Sequence, residues 1–285
     1  QMCIRDSPRT DQSRQRDVKF ISASEPEYVL SPQECRHSTL YMEKRAVQGE
    51  PTVFSETFEY TSCGEWHNLR AEDVLPYDTT TALYKEYTAE REKHIVFSPR
   101  LRELAAKLAA GETNPYLKAK RIFRWINDHF PWASAREYST IENIPEYVLD
   151  NRHGDCGQVS LLFITLCRIS GIPAHFQSGF MMHPRAWNLH DWAEVYFEGV
   201  GWVPVDQSFG IPAFARNADE EYFFLGGIDS WRMIVNTDYG MPLVPEKKYP
   251  RSETVDFQRG EVEWEGGNLY FPQWSYHMDI DYLNY

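Results

Sequence analysis

Three reactive side chains stand in the order cysteine, histidine, aspartate in the second half of the chain. Cys156 lies in GDCGQVSLLF, His190 in LHDWAEVYF and Asp206 in GWVPVDQS. Nucleophilic acyl transfer needs these three groups, because a thiolate attacks the carbonyl, an imidazole moves the proton, and a carboxylate fixes the tautomer of the ring and stabilises the imidazolium. We therefore expect Cys156, His190 and Asp206 to form a catalytic site.

The residues after Cys156 have the pattern of a helix. Apolar side chains recur at helical spacing, at positions 159, 162, 163, 166 and 169. Gly171 and Pro173 then mark the end of the helix. Cys156 falls in the first turn, where the unpaired amides and the helix dipole favour a thiolate and can also receive a developing oxyanion. Gly154 and Gly157 flank the thiol with minimal side chains, which leaves room for a substrate.

Three segments beyond this helix have the composition of strands: 174–181, 190–197 and 202–206. Gly199-Val200-Gly201 makes a tight connection between the last two, which predicts a β-hairpin. In that hairpin His190 and Asp206 lie near the same open end, which is the geometry that the chemistry requires.

Two further side chains near this site are candidates for a role. Asp191 competes with Asp206 as the partner of His190, but adjacent residues of a strand point to opposite faces, so we favour Asp206. The loop 132–151 leads to the nucleophile and is expected to form one wall of the cleft. Tyr138 in this loop is our candidate for an oxyanion donor besides the Cys156 amide, although a wall or core position is the alternative role for an aromatic residue there.

The same stretch resembles the core of the transglutaminase-like superfamily, whose fold is papain-like. The resemblance rests on GDCG before an apolar helix that ends in RISGIPA, and on HDWAEVYFEGVGWVPVDQS. It implies that Cys156 is the nucleophile, His190 the general base and Asp206 the third member of the triad. The implied fold class is α+β, with the helix that bears the cysteine packed on an antiparallel β-sheet. The family often has Pro and a small hydroxyl residue after the aspartate, where this chain has Gln207-Ser208.

The chain divides into three predicted parts after a short leading segment. Residues 1–7, QMCIRDS, resemble the translation of a transposon end used in sequencing libraries, and they are left out of the fold prediction. Residues 8–90 form a β-rich N-terminal domain whose natural start we expect to be missing. Residues 91–235 form the catalytic domain, which opens with helices, and residues 236–285 form a β or irregular extension.

Cys35 and Cys63 lie in the predicted N-terminal domain. They either form a disulfide or remain two free thiols, and their spacing does not choose between these alternatives.

Composition restricts the classes of partner. The chain of 285 residues is 42% hydrophobic and 15% aromatic, so it can bury a substantial core. Its formal net charge is −13 and it has no basic stripe, which argues against nucleic acid. No run approaches the ~18 apolar residues of a membrane-spanning helix. We expect a protein or peptide substrate, no cofactor and an extracytoplasmic location, periplasmic or secreted, while the oligomeric state stays open.

Three functions are compatible with Cys156, His190 and Asp206. The first is a cysteine-dependent enzyme that acts on amide bonds, and the resemblance favours hydrolysis by a peptidase or amidase over cross-linking. The second is a binding or scaffold module that retains the transglutaminase-like fold without turnover. The third is a zinc site, which we disfavour because a structural zinc site wants four ligands with close Cys or His pairs, and no such pairs occur here.

Overall fold

The computed structural model of the protein describes residues 2–6, 8, 13–134 and 136–283. The described helices are α1 (Ala82–Tyr87), α2 (Pro99–Leu108), α3 (Pro115–His129), α4 (Ile144–Asn151), α5 (Cys156–Ile169) and α6 (Ala218–Glu221). The described strands are β1 (Met2–Asp6), β2 (Gln15–Ala23), β3 (Tyr28–Leu30), β4 (Leu40–Lys44), β5 (Glu56–Ser62), β6 (Glu65–Trp66), β7 (Ala174–Met181), β8 (Asn188–Phe197), β9 (Gly201–Val205), β10 (Gly227–Ile228), β11 (Arg232–Thr237), β12 (Val262–Trp264) and β13 (Gly267–Leu269).

A four-stranded antiparallel sheet of order β11-β7-β8-β9 lies at the centre of the molecule. The predicted hairpin is confirmed as β8 and β9, with Ala193 paired to Val205. Gly199 and Gly201 in its turn have φ of 87° and 107°, values that residues with a side chain rarely adopt. Asp206 follows β9 directly, so the hairpin carries it to the part of β8 where His190 lies.

Helix α5 packs against one face of this sheet and is surrounded by other elements. Its side chains from Gly157 to Arg168 are all buried, because α2, α3 and α4 cover the faces that the sheet leaves open. An apolar helix of this kind is stable only when it is enclosed. Ala193 and Val195 of β8 belong to the same core cluster as the helix, whereas Trp192 packs in a separate cluster on the other face.

The helices that precede Cys156 follow the sequence pattern closely. Asn114 caps α3 and Pro115 occupies its first position, where the missing amide hydrogen costs nothing. Ala119, Ile122, Phe123 and Ile126 form its buried stripe, as their spacing predicts. No helix among the described residues is both long enough and apolar enough to span a membrane.

The region 8–90, which we expected to be rich in strands, contains β2 to β6 and also one α-helix. Residues 82–87 form helix α1, whose first turn is capped by the Thr81 side chain accepting from the Tyr84 amide at 3.2 Å. The composition and alternation of the sequence also predict strands at 52–60 and 37–45. The first begins four residues later as β5, and the second is shortened to β4. The short helix escaped prediction because its six residues have no apolar stripe.

Residues from both ends of the chain meet in a second sheet of order β13-β12-β1-β4-β3. Residues 2–6, which the sequence analysis left out, pair with β4 and β12. Strand β6 likewise pairs with β10 in the second half of the chain. The division into three domains stays a prediction, and these pairings show that the ends are joined by backbone hydrogen bonds.

The question of a disulfide in the N-terminal part has an answer in the structure. Cys63 carries a free thiol and is therefore not bonded to Cys35.

Candidate active site

Local hydrogen bonds explain why α5 begins at Cys156. The Asp155 side chain accepts from the Gln158 amide at 3.1 Å, and the Gln158 side chain accepts from the Asp155 amide in return. This capping box satisfies two of the amides that every helix start leaves unpaired. Gly154 before it bonds to the loop at Trp132, which holds that loop beside the nucleophile.

The thiol of Cys156 contacts a carboxylate. Its Sγ donates to Asp191 Oδ2 at 3.4 Å, and the residue stays partly exposed. The space beside Gly157 is filled, contrary to the expectation of room for a substrate there. A Cβ at Gly157 would lie 2.5 Å from the Tyr138 hydroxyl and 2.7 Å from Asp191 Oδ2, so glycine is required for these two side chains to lie beside the start of α5.

The surroundings of Cys156 disfavour the thiolate. Burial of the thiol, followed by the carboxylates of Asp191 and Asp155, raises the pKa of Cys156 well above its ordinary value. The helix dipole alone would lower it, as the sequence analysis expected. In this arrangement burial and the carboxylate charges outweigh the dipole, so the raised pKa favours the neutral thiol of Cys156.

Asp191 belongs to a buried group of acidic side chains. Burial, Asp256 and Asp155 together raise the pKa of Asp191 well above its ordinary value. Burial also raises the pKa of Asp155 to about 6, against the opposing hydrogen bond from Tyr138. Gln258 Nε2 donates to Asp191 Oδ1 at 3.0 Å. The two oxygens of Asp191 therefore bond to Cys156 and to a residue from the C-terminal part of the chain.

His190 and Asp206 form a close pair on the other face of β8. His190 Nε2 lies 2.7 Å from Asp206 Oδ2, and the Asp206 side chain is 0% exposed. Asp206 Oδ1 accepts from the Phe209 amide at 3.1 Å. Arg232 Nη2 lies 3.0 Å from Asp206 Oδ2. Although burial alone would raise it, the pKa of Asp206 is lowered by the charges of His190 and Arg232, so the carboxylate stays ionised.

The structure thus brings His190 and Asp206 together, as predicted, whereas Cys156 contacts Asp191. Asp191 does not compete for His190, because it points to the opposite face as expected, but that face is where Cys156 lies. Among the described residues no hydrogen bond joins Cys156 to His190, and none is made by His190 Nδ1. The Nε2 bond to Asp206 leaves Nδ1 as the ring nitrogen that is available to a thiol proton.

The Tyr138 hydroxyl is engaged with carboxylates. It donates to Asp155 Oδ1 at 2.5 Å and lies 3.5 Å from Asp191 Oδ2. Burial, Asp155 and Asp191 raise the pKa of Tyr138 well above its ordinary value, so it remains a donor. While it bonds to Asp155 this hydrogen is not available to an oxyanion, and its role as oxyanion donor stays a prediction.

Sequence reasoning missed Gln258 and Arg232. Arg232 is buried, and its guanidinium lies 4.7 Å from the centre of the Phe209 ring besides its contact with Asp206. An arginine in an otherwise apolar strand was a signal for a buried charge partner. Gln258 carries no such signal, because its segment has no periodic pattern.

Known proteins match the central part of this chain. The profile of the transglutaminase-like superfamily matches residues 102–207. An uncharacterised protein of Bacillus subtilis, YebA, is 26% identical over 140 residues, which are 42% of this chain and 19% of that protein. A protein-glutamine gamma-glutamyltransferase of Pseudomonas aeruginosa is 23% identical over 125 residues, which are 40% of this chain and 19% of that protein. The matched region thus spans about a fifth of the length of these curated relatives.

A solved structure resembles a larger share of the chain. The candidate cysteine protease of Cytophaga hutchinsonii superposes with a TM-score of 0.56 at 19% identity. The superposition covers 83% of this chain and 75% of that protein. At this identity the likeness concerns the fold, and it agrees with a helix bearing the cysteine packed on an antiparallel sheet.

Proposed function

Because the chain carries a transglutaminase-like domain, we propose that it is an acyl-transfer enzyme that cleaves amide bonds of a protein or peptide through Cys156, His190 and Asp206. One observation carries this proposal. His190 and Asp206 are hydrogen-bonded at 2.7 Å, and the residue next to His190 in the strand contacts the Cys156 thiol. The extracytoplasmic location stays a prediction from the sequence.

The proposed reaction begins with proton transfer from Cys156 to His190 Nδ1. The sulfur then attacks the carbonyl carbon of the amide, and the amides at the start of α5 stabilise the oxyanion. The protonated imidazole, held by Asp206, gives its proton to the leaving nitrogen, and a thioester with Cys156 remains. Water or an amine then attacks the thioester, which returns the proton to Cys156 and releases an acid or a new amide.

We favour water over an amine in the second half-reaction, as the sequence resemblance implies. The first half-reaction is the same for a hydrolase and for a cross-linking enzyme, so the triad does not separate them. The distinction depends on whether an amine is incorporated when both acceptors are present.

A paired assay tests this proposal. The purified protein is incubated with glutamine-containing peptides and a fluorescent primary amine, and release of ammonia, peptide cleavage and incorporation of the amine are measured together. We expect hydrolysis to exceed incorporation, and Cys156→Ala and Asp206→Asn to lower turnover by about a thousandfold or more. Cys63→Ser, which removes a free thiol elsewhere, is the matched control and keeps the activity.

Two outcomes would contradict the proposal. Turnover that survives in Cys156→Ala would exclude this nucleophile. Absence of any product with a broad peptide set, in every variant including those described below, would leave the scaffold module as the better account.

A further inference from the structure

Residues 252–259 have no regular secondary structure, yet they are deeply buried. Val255 belongs to the main core, and Phe257 packs in a second apolar cluster with 0% exposure. Irregular segments normally lie on the surface, because their backbone groups need water or specific partners. Burial of this stretch therefore points to a role beyond connecting two strands, and we call residues 252–259 the cover segment.

Gln258 of the cover segment reaches the nucleophile through one carboxylate. Its Nε2 donates to Asp191 Oδ1 at 3.0 Å, while Asp191 Oδ2 accepts from Cys156 at 3.4 Å. The Gln258 residue is 1% exposed, and within the described structure its Oε1 has no hydrogen-bond partner. A buried acceptor without a partner lowers stability. The hydrogen bonds that Gln258 makes therefore do not by themselves explain its buried position.

The cover segment also contributes a charge to the site. Asp256 is buried and, after burial itself, is the largest cause of the raised pKa of Asp191. Asp191 in turn is the first charged group that raises the pKa of Cys156. The groups that bond to Asp191 or shift its pKa include Cys156, Tyr138, Asp155, Asp256 and Gln258, while the cation Arg259 lowers the pKa of Asp256 within the same group. The charge of Asp256 therefore disfavours the ionised form of Asp191, whereas the hydrogen bond from Gln258 favours it.

The two ends of the cover segment are held with different strength. At its first residue the Ser252 amide donates to Glu261 Oε2 at 2.8 Å, and Lys247 Nζ lies 2.6 Å from the same oxygen, in a buried cluster. At its last residue Arg259 Nη2 lies 3.3 Å from Glu137 Oε2 in a partly exposed ion pair. The ion pair of Arg259 with Glu137 is partly exposed and by itself contributes little to stability, whereas breaking the buried cluster at Ser252 would leave buried charges unpaired.

We propose that the cover segment is an intramolecular inhibitor, latched by the Gln258–Asp191 hydrogen bond, that holds Cys156 in a resting state beside Asp191 instead of His190. Displacement of the segment releases Asp191 from Gln258, removes Asp256 from the vicinity of Asp191 and frees Cys156 to meet Nδ1 of His190. This inference rests on the proposed function, since it describes the regulation of the same nucleophile.

The rate of iodoacetamide labelling at Cys156, at neutral pH and with mass-spectrometric assignment of the site, tests the proposal. We expect Gln258→Ala to label at least about threefold faster than the wild type. Each unit by which the thiol pKa falls raises the thiolate fraction about tenfold and lowers its intrinsic reactivity about threefold. Gln48→Ala, an exposed glutamine in a turn, is the matched control and labels at the wild-type rate.

A second variant keeps the proposal testable if Gln258→Ala does not fold. Arg259→Ala removes the partly exposed ion pair with Glu137 at the outer end of the segment, and we expect faster labelling together with faster hydrogen exchange at 252–259. Labelling of folded Gln258→Ala and Arg259→Ala at the wild-type rate would overturn the proposal.

Turnover separates this inference from the proposed function. Faster labelling and faster turnover in Gln258→Ala support both. Faster labelling without turnover of any substrate supports the cover and contradicts the proposed enzyme. Equal turnover in the wild type and in Gln258→Ala contradicts the cover and leaves the enzyme in place.

Discussion

Arg232 lies 3.0 Å from Asp206, at the same Oδ2 atom that bonds His190. The carboxylate is thus held between two nitrogen donors and stays ionised despite its complete burial. Its partner Arg232 is also shared with Asp229 at 2.7 Å. A chain of charges therefore fixes Asp206, and through it the His190 ring, before any substrate arrives.

Loss of Arg232 is expected to destabilise the protein and to raise the pKa of Asp206. Arg232→Gln leaves a buried carboxylate without its cation, and breaking such a pair lowers the free energy of unfolding by about 3–5 kcal/mol. The lowered pKa of Asp206 contributes stability that is present above pH ~3.8 and is lost as the pH falls through the folded-state pKa. Melting temperatures measured between pH 2.5 and 7 should fall less with decreasing pH in the variant than in the wild type, because Asp206 contributes less pH-dependent stability there.

The control for this prediction is Arg216→Gln, which removes an exposed arginine that pairs with Glu220. Exposed pairs of this kind contribute little, so the unfolding curve should barely move. An Arg232→Gln variant as stable as that control would show that Arg232 does not stabilise Asp206.

Asp155 is expected to change the free energy of unfolding with pH in the opposite direction from Asp206. Burial raises its pKa to about 6, so the folded state takes up a proton that the unfolded chain releases near pH 4. The resulting stabilisation is complete below pH ~4 and is lost as the pH rises through 6. Asp155→Asn keeps the helix cap, because Asn and Asp cap equally well, and removes the titration.

Urea unfolding at pH 4, 5, 6 and 7 measures this effect. The wild type should lose stability over this range, and Asp155→Asn should lose roughly 1–3 kcal/mol less. Asp191 and Asp256 also have raised pKa values and act in the same direction. Because Asp155 contributes to the raised pKa of Asp191, the difference between the two curves measures Asp155 together with its effect on Asp191. Parallel curves for the two proteins would refute the assignment.

Periodic patterns predicted much of the central fold. The apolar spacing after Cys156 defined α5, and Gly199-Val200-Gly201 defined the turn of the hairpin that carries His190 toward Asp206. These features are local, since the backbone period and the turn geometry act over a few residues. That is why the pairing of His190 with Asp206 could be predicted without the structure.

The contacts that escaped prediction depend on packing between distant segments. Strand alternation told us that Asp191 points away from His190, but not that the start of α5 lies over that face. Gln258 reaches the same carboxylate from 67 positions further along the chain. The turn-rich stretch around it has no period from which its burial could be inferred, so only the assembled core reveals the contact.

We expect Asp191, and not His190, to set the reactivity of the resting Cys156 thiol. Cys156 bonds to Asp191 and, among the described residues, makes no hydrogen bond to His190. Asp191→Asn removes a negative charge and lets an amide N–H face the sulfur, so the pKa of Cys156 should fall. We expect the pH profile of iodoacetamide labelling, measured from pH 6 to 10, to move by about one unit or more toward acid. His190→Ala should leave this resting profile nearly unchanged while abolishing turnover, because His190 acts only after the thiol leaves Asp191. A profile that responds to His190→Ala and ignores Asp191→Asn would mean that Cys156 already rests against the imidazole.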